Sequence, residues 1–146
     1  MRRFLFALAA QIALHSAAFA TPTPDDLRIL AYGHETAQVE AAFAAARAKA
    51  TPENQDYDLQ RELMTAFATT DPRIDAFTRL WLNTDPNSPY AHTARAWHLW
   101  AMGWSMRGER QIQDIYPEAM QKFADLHGEA LDHALIAWEI APDFVA

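Results

Sequence analysis

Three helix starts in this chain are marked by a capping residue directly before a proline: Thr23-Pro24, Asp71-Pro72 and Ser88-Pro89. A side-chain oxygen at the N-cap satisfies an orphan amide of the first helical turn. Proline at the next position gives up an amide that has no intrahelical partner anyway. Pro117-Glu118 opens a further helix, and Gly33 and Gly108 fall where helices should stop. No segment sustains period-two alternation, so no strand is expected. The chain is thereby directed to an all-α fold of antiparallel helix pairs, joined by short Pro, Asp and Asn turns.

The spacing predicts six helices, at about 24–32, 35–50, 57–68, 72–83, 89–106 and 117–140. The first should bury Leu27, Ile29 and Leu30. The next three carry stripes of Val39, Phe43, Ala46 and Ala50, then Leu59, Leu63 and Phe67, then Ile74, Phe77 and Trp81. The polar stretch Thr51–Gln55, with Pro52, separates the second helix from the third. The fifth is apolar nearly all round, with Arg95, His98 and Ser105 as a narrow polar strip, and so should be packed on most sides. Gly103 would let a neighbouring helix come close. In the sixth, Met120, Phe123, Leu131, Ala134 and Trp138 form the expected buried face, and Glu118, Asp125, Glu129 and Asp132 the wet one. Gly128 lies inside it as a potential kink.

The N-terminus has the order of a secretory signal peptide over residues 1–20. Arg2-Arg3 precede an apolar run from Phe4 to Leu14, then the small-residue site Ala18-Phe19-Ala20. That run falls short of the ~20 residues that span a bilayer, so the expectation is cleavage, with no membrane span in the mature chain. Ordinary secretion fits better than twin-arginine export, because almost nothing precedes the arginine pair. Residues 21–146 are then one domain in the periplasm or outside the cell. With no cysteine, disulfides, thiolate catalysis and lipoprotein anchoring are excluded. The formal net charge is −7, and the leader carries two arginines and no acid, so the mature domain is more acidic still. That argues against nucleic acid, which needs a basic footprint. Hydrophobic residues make up 51% of the chain, which argues against disorder.

Tyr90, Trp97, Trp100 and Trp104 project within about a quarter-turn of the fifth helix. They could line a groove for a peptide or aromatic ligand with Arg107 at its mouth, which makes Trp97, Trp100, Trp104 and Arg107 the candidate binding residues. The plainer reading makes the aromatics core, Trp97 and Trp104 above all, and Arg107 a partner of the last-turn carbonyls. Asp125, Glu129 and His133 align at four-residue spacing, yet three ligands on one helix make a poor metal site, and intrahelical pairing on a wet face is preferred. His92/His98 and His127/His133 are six apart and share no helix face. His127 reads as a hydrogen-bonded core histidine. No phosphate loop or nucleophile elbow is present, so no catalytic residue, metal or cofactor is assigned.

Two resemblances go further. Ala130, Ala137 and Pro142 have the spacing of the small residues and terminal proline in the second helix of a tetratricopeptide repeat. The signature of that repeat's first helix is missing, and the Gly108–Tyr116 connection is too long for a standard repeat. Trp81, Pro86-x-Ser88-Pro89-x-Ala91, Trp104-Ser105-Met106-Arg107-Gly108, Phe123, Ala130, Ala137 and Pro142 resemble the bacterial domain-of-unknown-function family 4034. That resemblance implies a tetratricopeptide-like helical-repeat fold in secreted or envelope proteins, without an assigned activity. The family usually continues beyond the terminal proline, and Ala141-Pro142-Asp143 resembles a joint leading into another helix. The expectation is therefore a repeat cut short, with an uncovered apolar stripe and a tendency to self-associate. By analogy of fold, the function expected is a protein-interaction scaffold with an unknown protein or peptide partner. A hydrolase or metal-dependent enzyme, and a small-ligand binder using the tryptophan face, are the alternatives.

Overall fold

A computed structural model describes residues 21–49, 57–109 and 114–144. The leader, Ala50 and the polar stretch 51–55 lie outside them. The described residues form six helices and no strand: α1 Pro24–Tyr32, α2 Thr36–Lys49, α3 Tyr57–Met64, α4 Pro72–Thr84, α5 Pro89–Arg107 and α6 Pro117–Ile140. The turn Thr65–Phe67 extends α3 as a 3₁₀ helix.

The cap-then-proline pairs do what their chemistry requires. Thr23 and Asp26 cap each other, Thr23 Oγ1 accepting from the Asp26 amide at 3.2 Å and Asp26 Oδ2 from the Thr23 amide at 2.9 Å. Asp71 accepts from the Arg73 amide at 2.9 Å, and Ser88 Oγ from the Ala91 amide at 3.0 Å. Gly33 is different. It ends α1 in an ordinary right-handed conformation, and His34 takes the left-handed one, at φ 60°. His34 N–H then donates to Ala31 O and Glu35 N–H to Leu30 O, both at 3.0 Å, closing a Schellman turn around a non-glycine residue.

The main core gathers one stripe from each of α1 to α4 onto the first half of α5. Phe43, Phe67, Phe77, Trp81 and Tyr90 pack ring to ring, with neighbouring centroids 5.5–6.2 Å apart. Glu40 ties this layer to the start of α5, accepting from Trp81 Nε1 at 2.9 Å and Ser88 Oγ at 2.6 Å. Ile29 departs from expectation. It is 68% exposed, and Ala31 takes the inward place beside Leu27, because a nine-residue helix turns only a narrow face to its neighbours. After α6 the chain turns, with Phe144 N–H donating to Ala141 O at 2.9 Å. Phe144 then enters the core edge-on to Tyr90 at 4.9 Å, while Arg47 Nη2 pairs with Asp143 at 2.5 Å.

The second half of α5 leaves this core and packs against α6. α6 runs unbroken through Gly128, and its two buried residues are Ala130 and Ala137. The expected buried face is therefore corrected. Leu131 is 59% and Trp138 61% exposed, and Ala134 is also exposed. The reason is close approach along small residues. A Cβ on Gly103 would fall 2.4 Å from His127 Nδ1, so the helix axes meet over Gly103, Ala96 and Ala130 and push the larger side chains to the flanks.

Candidate apolar cleft on the α5–α6 hairpin

The four aromatics of α5 do not share one fate. Tyr90 is buried in the core, Trp97 is half-buried against it, and Trp100 and Trp104 are 47% and 42% exposed. The expectation of a core Trp104 is therefore overturned. Beyond Leu99 no helix among the described residues other than α6 packs on this side of α5, and Trp100 and Trp104 meet solvent.

Trp97, Trp100 and Trp104 form a ladder of edge-to-face contacts at 6.2 and 6.3 Å. The far end is braced by Phe123, 5.3 Å from Trp104, and by His127, whose ring lies 4.0 Å from that of Phe123. Between the ladder and α6 lies an open cleft of about 380 Å³, lined by Ala96, Trp97, Trp100, His127, Ala130, Leu131 and Ala134. Trp104 stands outside that lining. Arg107 stacks over Trp104 at 5.0 Å, and Nη1 donates weakly to Gly108 O at 3.4 Å. That contact fits the last-turn role; Arg107 does not reach the cleft. His127 Nδ1–H donates to Phe123 O at 2.9 Å, which leaves a bare Nε2 buried beside the cleft.

Of the polar strip of α5, Arg95 and His98 are buried away from the cleft. Arg95 is 2% exposed and donates to Asp75 of α4 at 2.5 Å and Glu129 of α6 at 3.2 Å. Glu129, 48% exposed on the wet face of α6 as expected, thus also joins a three-helix ion network. Burial raises the Asp75 pKa, but bonds from Arg79 and Arg95 outweigh it and hold the carboxyl at about 2. His98, 1% exposed and 3.5 Å from Asp75, is pushed below the ordinary histidine range by burial and then by Arg95. Ser105 stays in solvent.

Asp125, Glu129 and His133 diverge. Asp125 accepts from Gln121 at 2.8 Å, Glu129 pairs with Arg95, and His133 Nδ1 meets His92 Nδ1 at 2.8 Å. No group of three His, Asp or Glu among the described residues is placed to hold a metal ion. Neither the His92–His133 contact nor the Arg95 network was foreseen from sequence. Both pair residues more than 15 positions apart, and helical spacing carries no information about which helix lies opposite.

No protein-family model matches this chain, and neither does any curated protein or solved structure. No helix among the described residues is long and apolar enough to cross a membrane.

Proposed function

We propose that this protein is an exported α-helical interaction module, and that the apolar face of its α5–α6 hairpin docks a partner protein or peptide. The observation that carries this reading is the exposure of Trp100 on the lining of an apolar cleft, with Trp104 exposed beside it. Solvent-facing tryptophans over an apolar floor are where binding energy concentrates at interfaces. The face continues along α6 through Leu131, Leu135 and Trp138, all at least 49% exposed. Their three-, four- and seven-residue spacing suits an amphipathic helix laid lengthwise in the groove. Because the chain is acidic, with formal net charge −7, the partner segment that fits is apolar on one face and basic at its margins.

A cleft of about 380 Å³ also lies within the size range of small-molecule sites, which favours a compact aromatic ligand as the second reading. The hydrolase and metal-enzyme alternatives gain no such support. Arg95 and His98 pack around Asp75 outside the lining of the cleft, and Asp125, Glu129 and His133 point to separate partners.

Export rests on the ordered charged, apolar and small-residue segments of positions 1–20. The proposed kinship with family 4034 and tetratricopeptide-like repeats rests on the motif residues. Ala130 and Ala137, which carry the small positions of that resemblance, are the buried residues of α6.

A photo-crosslinking residue at position 100 or 135, introduced in the native host, tests the docking face. A protein or peptide adduct is expected at both positions and not at Ala76, exposed on α4. A low-mass adduct would favour the ligand reading, and no adduct above the Ala76 control would overturn both. Mass spectrometry of the same material should find Thr21 at the N-terminus; an intact Met1 on a cytoplasmic product would refute export.

A further inference from the structure

His92 on α5 and His133 on α6 touch through their Nδ1 atoms at 2.8 Å, and His92 Nε2 lies 3.1 Å from Pro86 O. The proton positions follow from chemistry alone. A carbonyl oxygen only accepts, so His92 Nε2 must carry a hydrogen. Neutral His92 then has a bare Nδ1, which must accept from His133 Nδ1–H, leaving the His133 lone pair on Nε2. The result is a directed chain from His133 through His92 to the Pro86 carbonyl, bridging α6, α5 and the turn before α5.

We propose that this histidine pair is a proton-sensitive clamp on the hairpin, closed when it is neutral or singly protonated and open when it is doubly protonated. The first added proton enters at His133 Nε2 and leaves both hydrogen bonds intact. The second can enter only at His92 Nδ1. It places a hydrogen on each of the two facing nitrogens and two positive rings in contact, so the bond is lost.

The surrounding charges set the direction. His133 faces His92 and Arg95 from α5, and Glu129 and Asp132 from its own helix. The carboxylates favour the first proton, while burial, His92 and Arg95 oppose it, and the balance lowers the His133 pKa below the ordinary value. His133 therefore binds a proton less readily folded than unfolded. Its contribution to stability is present above the ordinary histidine range and is lost as pH falls below it. His133 lies within one helical turn of Ala130, Ala134 and Ala137. Release of this bond frees the small-residue seam and exposes the floor of the Trp97–Trp100 cleft. The tautomer chain is independent of the docking proposal, and only its bearing on partner binding rests on that reading.

The test is nitrogen NMR of the imidazole rings in the mature protein, paired with binding of the dye 8-anilinonaphthalene-1-sulfonate as pH is lowered. Above pH 7, His92 should be protonated on Nε2 and His133 on Nδ1. Dye fluorescence should rise several-fold on acidification while helical circular dichroism holds. In His133→Gln, the amide donates to neutral His92 and, turned over, accepts from His92 once Nδ1 is protonated, so no pair of positive rings arises and the rise should move down by about one pH unit or more, or vanish. A rise unchanged from wild type, or a His133 ring protonated only on Nε2 above pH 7, would overturn the proposal. Should His133→Gln not fold, the wild-type tautomers and His92→Gln decide in its place. Crosslinking at position 100 reports on the docking reading separately, so the two can fail independently.

Discussion

Gly103 and His127 occupy a single position in the α5–α6 interface: a Cβ on Gly103 would lie 2.4 Å from His127 Nδ1 and 2.5 Å from Cε1. The imidazole cannot easily swing away, because it is bonded to Phe123 O and its ring packs 4.0 Å from that of Phe123. Gly128, one residue further along α6, has nothing within 4 Å of such a Cβ. Two identical substitutions therefore have opposite signs. Gly103→Ala should lose about 1–2 kcal/mol, its overpacking exceeding the gain in helix propensity. Gly128→Ala should gain roughly 0.5–1 kcal/mol. Urea midpoints measure both, and a stabilised Gly103→Ala would show that the helices do not meet there.

Asp75 holds a buried guanidinium, whereas Glu129 assists from a longer, wetter position. Asp75→Asn leaves Arg95 short of its shorter ion pair and should cost about 2–3 kcal/mol, below the full range for a broken buried pair because Asp75 is half-exposed. Glu129→Gln should cost about 1 kcal/mol or less. Asp75 also gives the fold an acid dependence. Its folded pKa of about 2 lies below the ordinary carboxylate value, so the unfolded chain binds the extra proton first. The stabilisation is complete above the ordinary value and declines as pH falls toward 2. Denaturation between pH 5 and pH 2 should show a shallower fall for Asp75→Asn than for wild type; parallel curves would assign the acid sensitivity elsewhere.

Trp97 and Trp100 separate stability from binding. Trp97 packs against the core, and Trp97→Ala should cost about 3 kcal/mol, the lower end for a large aromatic. Trp100, nearly half exposed, should cost about 1 kcal/mol or less when truncated. Under the docking proposal it is Trp100→Ala that abolishes the crosslink from position 135. Equal losses of stability from the two variants would mean that the ladder is packed throughout.

His34 offers a stabilising change. A non-glycine side chain at φ 60° costs roughly 1 kcal/mol relative to glycine, so His34→Gly should raise stability by about 0.5–1 kcal/mol. The check is a thermal melt against Gly33→Ala, which sits at an ordinary right-handed φ and should change little.

Capping chemistry was readable at three helix starts. Thr23, Asp71 and Ser88 cap their helices through atoms three or fewer residues away, so the boundaries of α1, α4 and α5 needed no knowledge of the rest of the chain. The stripes of α2 to α4 were legible too, since a narrow run of large apolar residues has one way to be buried. The faces of α5 and α6 were not. Apolar periodicity identifies a side that prefers to leave water, but a helix with two such sides must choose. In α6 the choice went to Ala130 and Ala137 and left Leu131 and Trp138 outside.

The sequence by itself determined six helices, the capped starts of α1, α4 and α5 and the all-α class, because capping and propensity act within a turn or two of chain. The tertiary structure alone decided that Arg95 would be buried between Asp75 and Glu129, that His92 would meet His133, and that Trp100 would stay in solvent. Those outcomes depend on how closely two backbones approach and on which carboxylate or imidazole the approach brings opposite. That is a property of surfaces joined across 20 to 40 residues, and no spacing along one helix encodes it.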